Sequence, residues 1–413
     1  MSNIDLVFEG GGAKGAVFVG ALEVLFGEYG HTHGRLLGTS AGAITAVLLA
    51  AGYTIPELLD ALAERNESGK PVFSTFLATP APFDQEEIRH SVIRKLLQDL
   101  DLPLLPDATE DRMDDWLAEQ LATHEFSRHL FSFIERGGWF SADPFVLWLE
   151  RKLDQARPDG SPRAFSKLSL KEFFDATGVE LSLVAADTTW ARMLLLNHRT
   201  APDCPVVWAT RMSMSVPLLW QEVEWRKAWG SYYDWDAEAQ GLVPIDLSGH
   251  SVVDGGLLSN FPIGLFLSDR KDVTALVGSA NAGLVLGLLI DESMDVPNQP
   301  PRQADSGLGV ARSRPVYRLR RLVTTVTSAH DNTKMAAFAR HIVHLPAGGY
   351  GTTEFDMDDE RREALVNAGR EAMRAFLAKQ PVLAEPSSGF AVGGKERALA
   401  NQAPMGLLRR EGA

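Results

Sequence analysis

Two stretches near the amino terminus decide the fold: IDLVFEGGGAKGAVFVGAL (residues 4–22) and LLGTSAGAITAVLLAA (residues 36–51). Each begins with a short apolar run, passes through a glycine-containing turn and continues into a run rich in alanine. This order predicts a strand, a tight turn and a helix, twice in succession. Because strands that alternate with helices form parallel sheets covered on both faces, we predict a three-layer, mainly parallel α/β fold.

The rest of the domain is predicted from later patterns in the chain. Further buried strands are expected at four apolar runs, over residues 179–186, 193–196, 284–290 and 342–345. Residues 66–170 hold scattered prolines and amphipathic stretches such as 86–97, which predicts a mainly helical insertion in an α/β domain over residues 1–380. Residues 381–413 are small and polar, so we expect a flexible tail.

The composition of the chain limits which classes of protein it can belong to. The chain has 413 residues, of which 45% are hydrophobic and 23% charged, which is typical of a globular protein with a large core. The net charge of −14 argues against nucleic acid as a partner and against unaided attraction to anionic lipid, since both require a basic patch. A single cysteine, Cys204, excludes an internal disulfide and is expected in the core.

The amino terminus and the most apolar stretch indicate whether the chain is secreted or inserted in a membrane. Residues 1–8 show neither a basic segment nor a long apolar run, so we read them as a strand rather than a secretory signal. Residues 275–290 are interrupted by polar side chains and fall short of the roughly 20 residues that a spanning helix requires. We expect a cytoplasmic chain, with attachment to a membrane surface left open.

The first chemical motif is Gly38-Thr39-Ser40-Ala41-Gly42, which matches G-x-S-x-G at a predicted junction of strand and helix. In this context the serine occupies a cramped turn, and the glycines on either side, Gly38 and Gly42, make room for the neighbouring backbone. The amino end of the following helix favours developing negative charge. By itself, so short a match is also compatible with a glycine-rich turn whose serine caps a helix.

The second motif is a glycine loop made of Gly10, Gly11, Gly12, Ala13, Lys14 and Gly15, directly after the first strand. A backbone with few side chains can aim several N–H groups at one oxygen, which suits the oxyanion of a tetrahedral intermediate. A phosphate loop lacks support because Gly15 stands where Ser or Thr would follow the lysine. A dinucleotide site and a structural turn remain alternatives, and Lys14 is also compatible with a solvated charge.

The third motif is Asp254-Gly255-Gly256, which follows an apolar pair. A carboxylate at the end of a strand, with Gly255 and Gly256 behind it, can approach a neighbouring turn closely and is a candidate base for Ser40. Alone, this tripeptide is more often an ordinary turn.

Taken together and in this order, the three motifs resemble those of the patatin-like phospholipase family. The resemblance covers residues 4–57 and 179–290, with a weaker similarity around 353–377, and leaves out the insertion and the tail. Two further segments resemble the family, Met212–Pro217 and Ser259–Pro262.

The resemblance implies a specific chemistry. It assigns Ser40 as the nucleophile, Asp254 as its base in a catalytic dyad, and the amides of the glycine loop as the oxyanion hole. The expected activity is that of a lipid acyl hydrolase of phospholipase A type, acting at a lipid or membrane surface, with no cofactor and no metal. The physical argument agrees, because a carboxylate must be partly desolvated before it can take a proton from serine. The lipid class and any protein activator are not identified.

Two alternatives to this mechanism stay open, and a third is disfavoured. An α/β-hydrolase triad would require a histidine late in the chain, for which His330, His341 and His344 are available, whereas His250 precedes the aspartate. A binding module with the same fold would have no chemical need for the serine and the aspartate. Metal-dependent hydrolysis is disfavoured, because no H-E-x-x-H pattern occurs and the histidines are scattered.

An aromatic segment lies between the last two motifs. Its large side chains are Leu218, Leu219, Trp220, Trp225, Trp229, Tyr232, Tyr233 and Trp235. Tryptophan and tyrosine suit a membrane interface, so one hypothesis is a mobile rim that docks on lipid. The competing interpretation is ordinary core packing, since large aromatic side chains are mostly buried.

Overall fold

The computed structural model describes residues 3–98, 116, 119, 124–279, 284–300, 336–380, 392–402 and 408. The strands in these residues are β1 (Asn3–Phe8), β2 (Thr32–Thr39), β3 (Gly138–Phe140), β4 (Leu181–Asp187), β5 (Arg192–Leu196), β6 (Leu218–Trp220), β7 (Val223–Glu224), β8 (Tyr232–Asp236), β9 (Gly241–Ile245), β10 (Ser251–Asp254), β11 (Leu284–Asp295) and β12 (Ile342–Gly348). The helices are α1 (Ala16–Leu22), α2 (Ala41–Ala50), α3 (Ile55–Ala63), α4 (Gln85–His90), α5 (Val92–Gln98), α6 (Glu125–Arg136), α7 (Asp143–Asp154), α8 (Leu170–Thr177), α9 (Val206–Met214), α10 (Gly264–Leu267), α11 (Lys271–Val277), α12 (Asp359–Lys379) and α13 (Gly394–Gln402).

Eight of the described strands form the central sheet, in the order β12-β11-β1-β2-β4-β10-β7, with β5 paired to β4. The strands β12, β11, β1, β2 and β4 run parallel to one another, whereas β5 and β10 pair antiparallel with β4, and β7 pairs antiparallel with β10. The four later strands predicted from apolar runs are present at nearly the predicted positions. The predicted mainly parallel sheet is therefore confirmed, and each of its antiparallel pairs involves β4 or β10.

Side chains of alternate residues fill two separate cores on the two faces of the sheet. In β1, Leu6 and Phe8 belong to one hydrophobic cluster and Val7 to the other. Helices α1, α2 and α12 contribute to the first cluster, and α10 and α11 to the second. Each face is thus covered by helices, as the apolar character of both faces of a parallel strand requires. This confirms the predicted three layers.

The described part of residues 66–170 is mostly helical and packs on the first core through Phe76, Phe145 and Trp148. The helix predicted over 86–97 is divided at Ser91, whose backbone is extended (ψ 148°). A new helix starts immediately afterwards because the Glu135 carboxylate accepts hydrogen bonds from the first two amides of α5, 3.0 and 2.9 Å away. A short pairing of β3 with β6 joins this segment to the residues that follow α9.

The described part of the predicted flexible tail, residues 392–402 and 408, packs on the domain, and the remaining residues of 381–413 lie outside the described residues. Residues 394–402 form α13, and Ala400 is fully buried in the second core. Asn401 accepts a hydrogen bond from the Ser268 hydroxyl at 2.7 Å. The small residues of this segment are therefore suited to close packing, which composition alone did not distinguish from mobility.

The hypothesis of a mobile aromatic rim is wrong for its central residues. Trp225 is completely buried, and Trp229 and Tyr232 are nearly so. Their rings pack edge to face, with the centroid of Trp225 5.8 Å from that of Trp229. Cys204 is also fully buried, as expected. Among the described residues, no helix is both long and apolar enough to cross a membrane.

We expect Trp225→Ala to destabilise the protein by about 3–5 kcal/mol, because it leaves a large cavity in a well-packed core. The denaturant midpoint, followed by far-ultraviolet circular dichroism, would measure the loss. Trp116→Ala is the control, since 56% of the Trp116 side chain is exposed, and should leave the midpoint unchanged. Equal midpoints for the two variants would contradict the burial of Trp225.

Candidate active site

Ser40 lies in the turn between β2 and α2 with a backbone conformation that L-residues rarely adopt. Its φ is 53° and its ψ is −119°. A Cβ added to Gly38 would lie 2.4 Å from the carbonyl oxygen of Gly42, and one added to Gly42 would lie 2.5 Å from that of Phe8. Both positions therefore require glycine. The Ser40 amide donates to the Ser213 hydroxyl at 3.2 Å, which further holds the turn.

The strand register brings Asp254 to Ser40. A residue within a strand has one neighbouring strand on each side, and β5 occupies one side of Leu183–Asp187. On the other side, Thr39 at the end of β2 pairs with Val184, and Asp254 at the end of β10 pairs with the next residue, Ala185. Because β2 and β10 run in opposite directions along this edge of β4, their carboxyl ends meet. The Ser40 side chain consequently lies beside the Asp254 carboxyl group, close enough to influence its pKa.

Asp254 is buried, with 4% of its surface exposed. Burial raises the pKa of its carboxyl group to about 7, although hydrogen bonds from the Ser40 hydroxyl and the Gly256 amide oppose the rise. The Gly256 amide lies 2.7 Å from Oδ1. A Cβ at Gly255 would lie 2.5 Å from the Val184 carbonyl oxygen, so the glycines allow the close approach of this turn to β4. The carboxyl group thus has a pKa suited to accepting a proton near neutral pH.

The glycine loop lies directly against the Ser40 turn. A Cβ at Gly10 would lie 3.1 Å from the Ser40 Cβ, and one at Gly15 would lie 3.0 Å from the Ala41 Cβ. Residues Gly12–Gly15 form a single 3₁₀ turn that leads into α1. The three motifs that are far apart in the sequence therefore meet at one place.

The amides of the glycine loop, Gly10–Gly15, which were predicted as a group to form the oxyanion hole, are not equivalent. The amide of Gly10 donates to Asn260, that of Ala13 to Thr352 and that of Lys14 to Gly11, in each case to the backbone carbonyl oxygen. Within the described residues, the amides of Gly11 and Gly12 have no acceptor. These two donors remain for a ligand.

The Lys14 side chain is not a solvated charge. Only 3% of Lys14 is exposed, and its ammonium group forms an ion pair with Glu292 on β11. Glu292 itself is more than half exposed. The lysine therefore anchors the 3₁₀ turn to the neighbouring strand.

Asn260, to which sequence analysis assigned no role, connects the glycine loop to the aspartate turn. Its Nδ2 donates to the carbonyl oxygen of Gly10 at 2.8 Å and to Glu9 Oε1 at 3.1 Å. The other oxygen of Glu9 accepts the Ile290 amide at 2.6 Å. Asn260 lies in a segment that resembles the family, but its hydrogen bonds could not be derived from the sequence.

The described histidines that could complete a triad form their hydrogen bonds with groups other than Ser40 and Asp254. His341 is fully buried at the amino end of β12, with Nδ1 3.0 Å from the Val285 carbonyl oxygen. His344 pairs with Asp291, on a strand separated from β2 by β11 and β1. His250 lies at the amino end of β10 and bonds to Asp187. His330 lies outside the described residues.

A family model described as patatin-like phospholipase matches residues 6–267, which is more than half of the chain. The chain belongs to this family. Membership supports a lipid hydrolase activity. The matched residues include all three motifs and end within α10, so β11, β12 and the carboxyl-terminal helices lie outside the match.

The comparisons also give a relative and two solved structures. The protein YqhO of Bacillus subtilis strain 168, described as uncharacterized, is 29% identical over 382 residues, which are 91% of this chain and 98% of the relative. VipD from Legionella pneumophila is 16% identical with a TM-score of 0.42, and the match covers 92% of this chain and 67% of that structure. The type III effector ExoU is 17% identical with a TM-score of 0.36, and the same share of this chain spans 53% of its length.

Proposed function

We propose that this patatin-like chain hydrolyses carboxylic esters of lipids, as a phospholipase A-type acyl hydrolase, through an acyl-enzyme on Ser40. The observation that carries the proposal is the meeting of Ser40, at the end of β2, with the buried carboxyl group of Asp254, whose pKa is raised to about 7. A nucleophile paired with a base of suitable pKa is the minimum requirement for covalent ester cleavage.

The steps follow from the positions of these groups. Asp254 accepts the Ser40 hydroxyl proton as Oγ attacks the ester carbonyl carbon. The tetrahedral intermediate collapses to the acyl-enzyme when the leaving alcohol takes the proton from Asp254. Water then repeats the sequence, with its proton going to Asp254 and its oxygen to the acyl carbon. Release of the fatty acid returns the proton to Ser40 Oγ.

The oxyanion of both intermediates is assigned to the amides of Gly11 and Gly12. Neither amide has an acceptor among the described residues, and the loop lies against Ser40. Donors that are already oriented stabilise developing charge without reorganisation, and loss of one such donor typically costs about 10²- to 10³-fold in kcat. The amides of Gly10, Ala13 and Lys14 hold the loop in place.

The function is tested by incubating the purified full chain with vesicles of mixed membrane lipids. Free fatty acids and lyso-lipids are then measured by mass spectrometry. We expect both products to accumulate and Ser40 to be labelled by a fluorophosphonate. A chain that releases no fatty acid from any lipid and leaves Ser40 unlabelled would instead support a binding role for the fold.

We expect kcat/KM for a short-chain ester to rise with pH, with a midpoint near 7, because only ionised Asp254 can accept the proton. With that midpoint, the rate at pH 5 should be roughly 100-fold below the plateau above pH 8. Tryptophan fluorescence at each pH would verify that the protein stays folded. A rate that is constant from pH 5 to pH 8 would exclude Asp254 as the base.

A further inference from the structure

A loop beyond the family match contacts the glycine loop. We call residues 349–354 the carboxyl-terminal loop; they follow β12 and precede α12. The carbonyl oxygen of Thr352 accepts the Ala13 amide at 2.8 Å. A Cβ at Gly12 would lie only 2.0 Å from the same oxygen, and Gly12 has a φ of +57°. The backbones are therefore in direct contact at the residue whose amide is assigned to the oxyanion.

One buried arginine holds the carboxyl-terminal loop. Arg361 at the start of α12 donates from Nε to Glu354 Oε1 at 2.7 Å and from Nη2 to the Gly349 carbonyl oxygen at 3.1 Å. Its guanidinium group lies over the ring of Tyr350, 4.1 Å from the centroid. Glu354 Oε2 accepts the Gly351 amide at 2.9 Å. Both ends of the loop are thus tied to one guanidinium group.

The pair is buried, with 2% of the Arg361 side chain and 3% of the Glu354 side chain exposed. A buried ion pair contributes little net stability compared with apolar packing, because desolvation offsets the attraction. Its hydrogen bonds do, however, define a single geometry. A fork of donors that binds two segments of the same loop leaves the Thr352 carbonyl little freedom to move.

We propose that the carboxyl-terminal loop, held by the Arg361–Glu354 pair, positions the oxyanion hole by fixing Gly12 and Ala13. This inference rests on the proposed function of the glycine loop. Arg361 and Glu354 touch no reacting atom and act through the Thr352 backbone. Part of the oxyanion hole is then set by residues outside the segment that the family model matches.

The test uses Arg361→Lys and Glu354→Gln in the full chain. Lysine cannot reproduce the planar fork, and glutamine removes the charge while retaining its size. We expect kcat for a short-chain ester, per active site titrated with fluorophosphonate, to fall roughly 10- to 100-fold, because small misplacements of oriented groups have effects of this size. KM and the pH midpoint of the rate should stay unchanged, since neither Asp254 nor the substrate's acyl chain is affected. Glu354→Gln is the milder change and serves where Arg361→Lys does not fold.

Arg35→Lys is a closely matched control. Arg35 pairs with Asp5, and the two side chains are also 2% and 3% exposed. Like Arg361, Arg35 also donates to backbone carbonyl oxygens, in this case those of Gly278 and Phe266. Asp5 lies near the amino end of β1, whereas the glycine loop follows the carboxyl end of that strand. This variant should lower Tm in a similar way and leave kcat per active site unchanged.

A second readout separates positioning from stability. A trifluoromethyl ketone forms an anionic adduct with the serine, so its affinity reports on the oxyanion hole. We expect its affinity to fall by the same factor as kcat/KM in both loop variants and to be unchanged in Arg35→Lys. A lower Tm with normal kcat per active site would overturn this inference while leaving the proposed function intact. A wild-type chain that neither turns over esters nor is labelled would refute the proposed function itself.

Discussion

Replacing Ser40 with alanine should lower kcat for ester hydrolysis by roughly 10⁶-fold, the size of the loss found when the catalytic serine is removed from a serine hydrolase. Alanine keeps the Cβ and the backbone of the turn but has no hydroxyl group to form the acyl-enzyme. Lipid hydrolysis and fluorophosphonate labelling should be lost together, because both depend on the same oxygen atom. The measurement is fatty acid release from vesicles and from a short-chain ester.

Ser268→Ala is the control for this change. Ser268 is as buried as Ser40, with 8% exposed against 7%, but its hydroxyl group bonds to Asn401 on α13. Its removal should leave turnover intact. Fatty acid release that persists at the wild-type rate in Ser40→Ala would refute the acyl-enzyme mechanism.

Replacing Asp254 with asparagine should lower kcat by roughly 10³- to 10⁴-fold, because the amide has nearly the same shape but cannot accept a proton. Asparagine Oδ1 can still accept the Gly256 amide, so the turn should persist. Labelling by a fluorophosphonate should slow by a similar factor. Asp272→Asn is the control, since Asp272 is 5% exposed but lies on α11 and pairs with Arg270.

The histidine alternative is tested in the same experiment. His341→Ala should be labelled at the wild-type rate, because His341 bonds to the carbonyl oxygen of Val285 on β11, which β1 separates from β2. Rapid labelling of Asp254→Asn together with an unlabelled His341→Ala would favour a triad over the dyad.

The substitution Asp254→Asn should also stabilise the fold at neutral pH. Burial raises the pKa of Asp254 from an ordinary value of 3.8 to about 7, so the unfolded carboxyl group ionises first as the pH rises. Wild-type stability contributed by this group is therefore present below pH 3.8 and lost progressively up to about pH 7. Asparagine does not ionise. The Tm of Asp254→Asn relative to wild type should accordingly increase between pH 4 and pH 7, and a constant difference would contradict the raised pKa.

Several local features could be predicted from the sequence because they depend on neighbouring residues. The alternation of strands and helices around residues 4–51 follows from hydrophobic pattern, and Gly38 and Gly42 are needed wherever a serine occupies so tight a turn. The site residues Ser40 and Asp254 were chosen from motifs, and their roles remain proposals. Composition was less informative, since it suggested mobility for residues that form α13.

Contacts between distant segments could not be predicted in this way. The register that places both β2 and β10 on one edge of β4 is what lets Ser40 meet Asp254, and register depends on pairing across the sheet. Which loop amides are already hydrogen-bonded depends on Asn260 and Thr352, which are about 250 and 340 residues further along the chain. The burial of Trp225 and Lys14 likewise depends on what packs over them.

The amino-acid sequence by itself determined the order of strands and helices and the three motifs, because those are set by local pattern and the steric needs of tight turns. Only the tertiary structure decided the pKa of Asp254, the two amides left for an oxyanion and the contact of the carboxyl-terminal loop with Gly12. The physical reason is that burial and hydrogen-bond partners are properties of what surrounds a residue in space, and most of those surroundings come from distant parts of the chain.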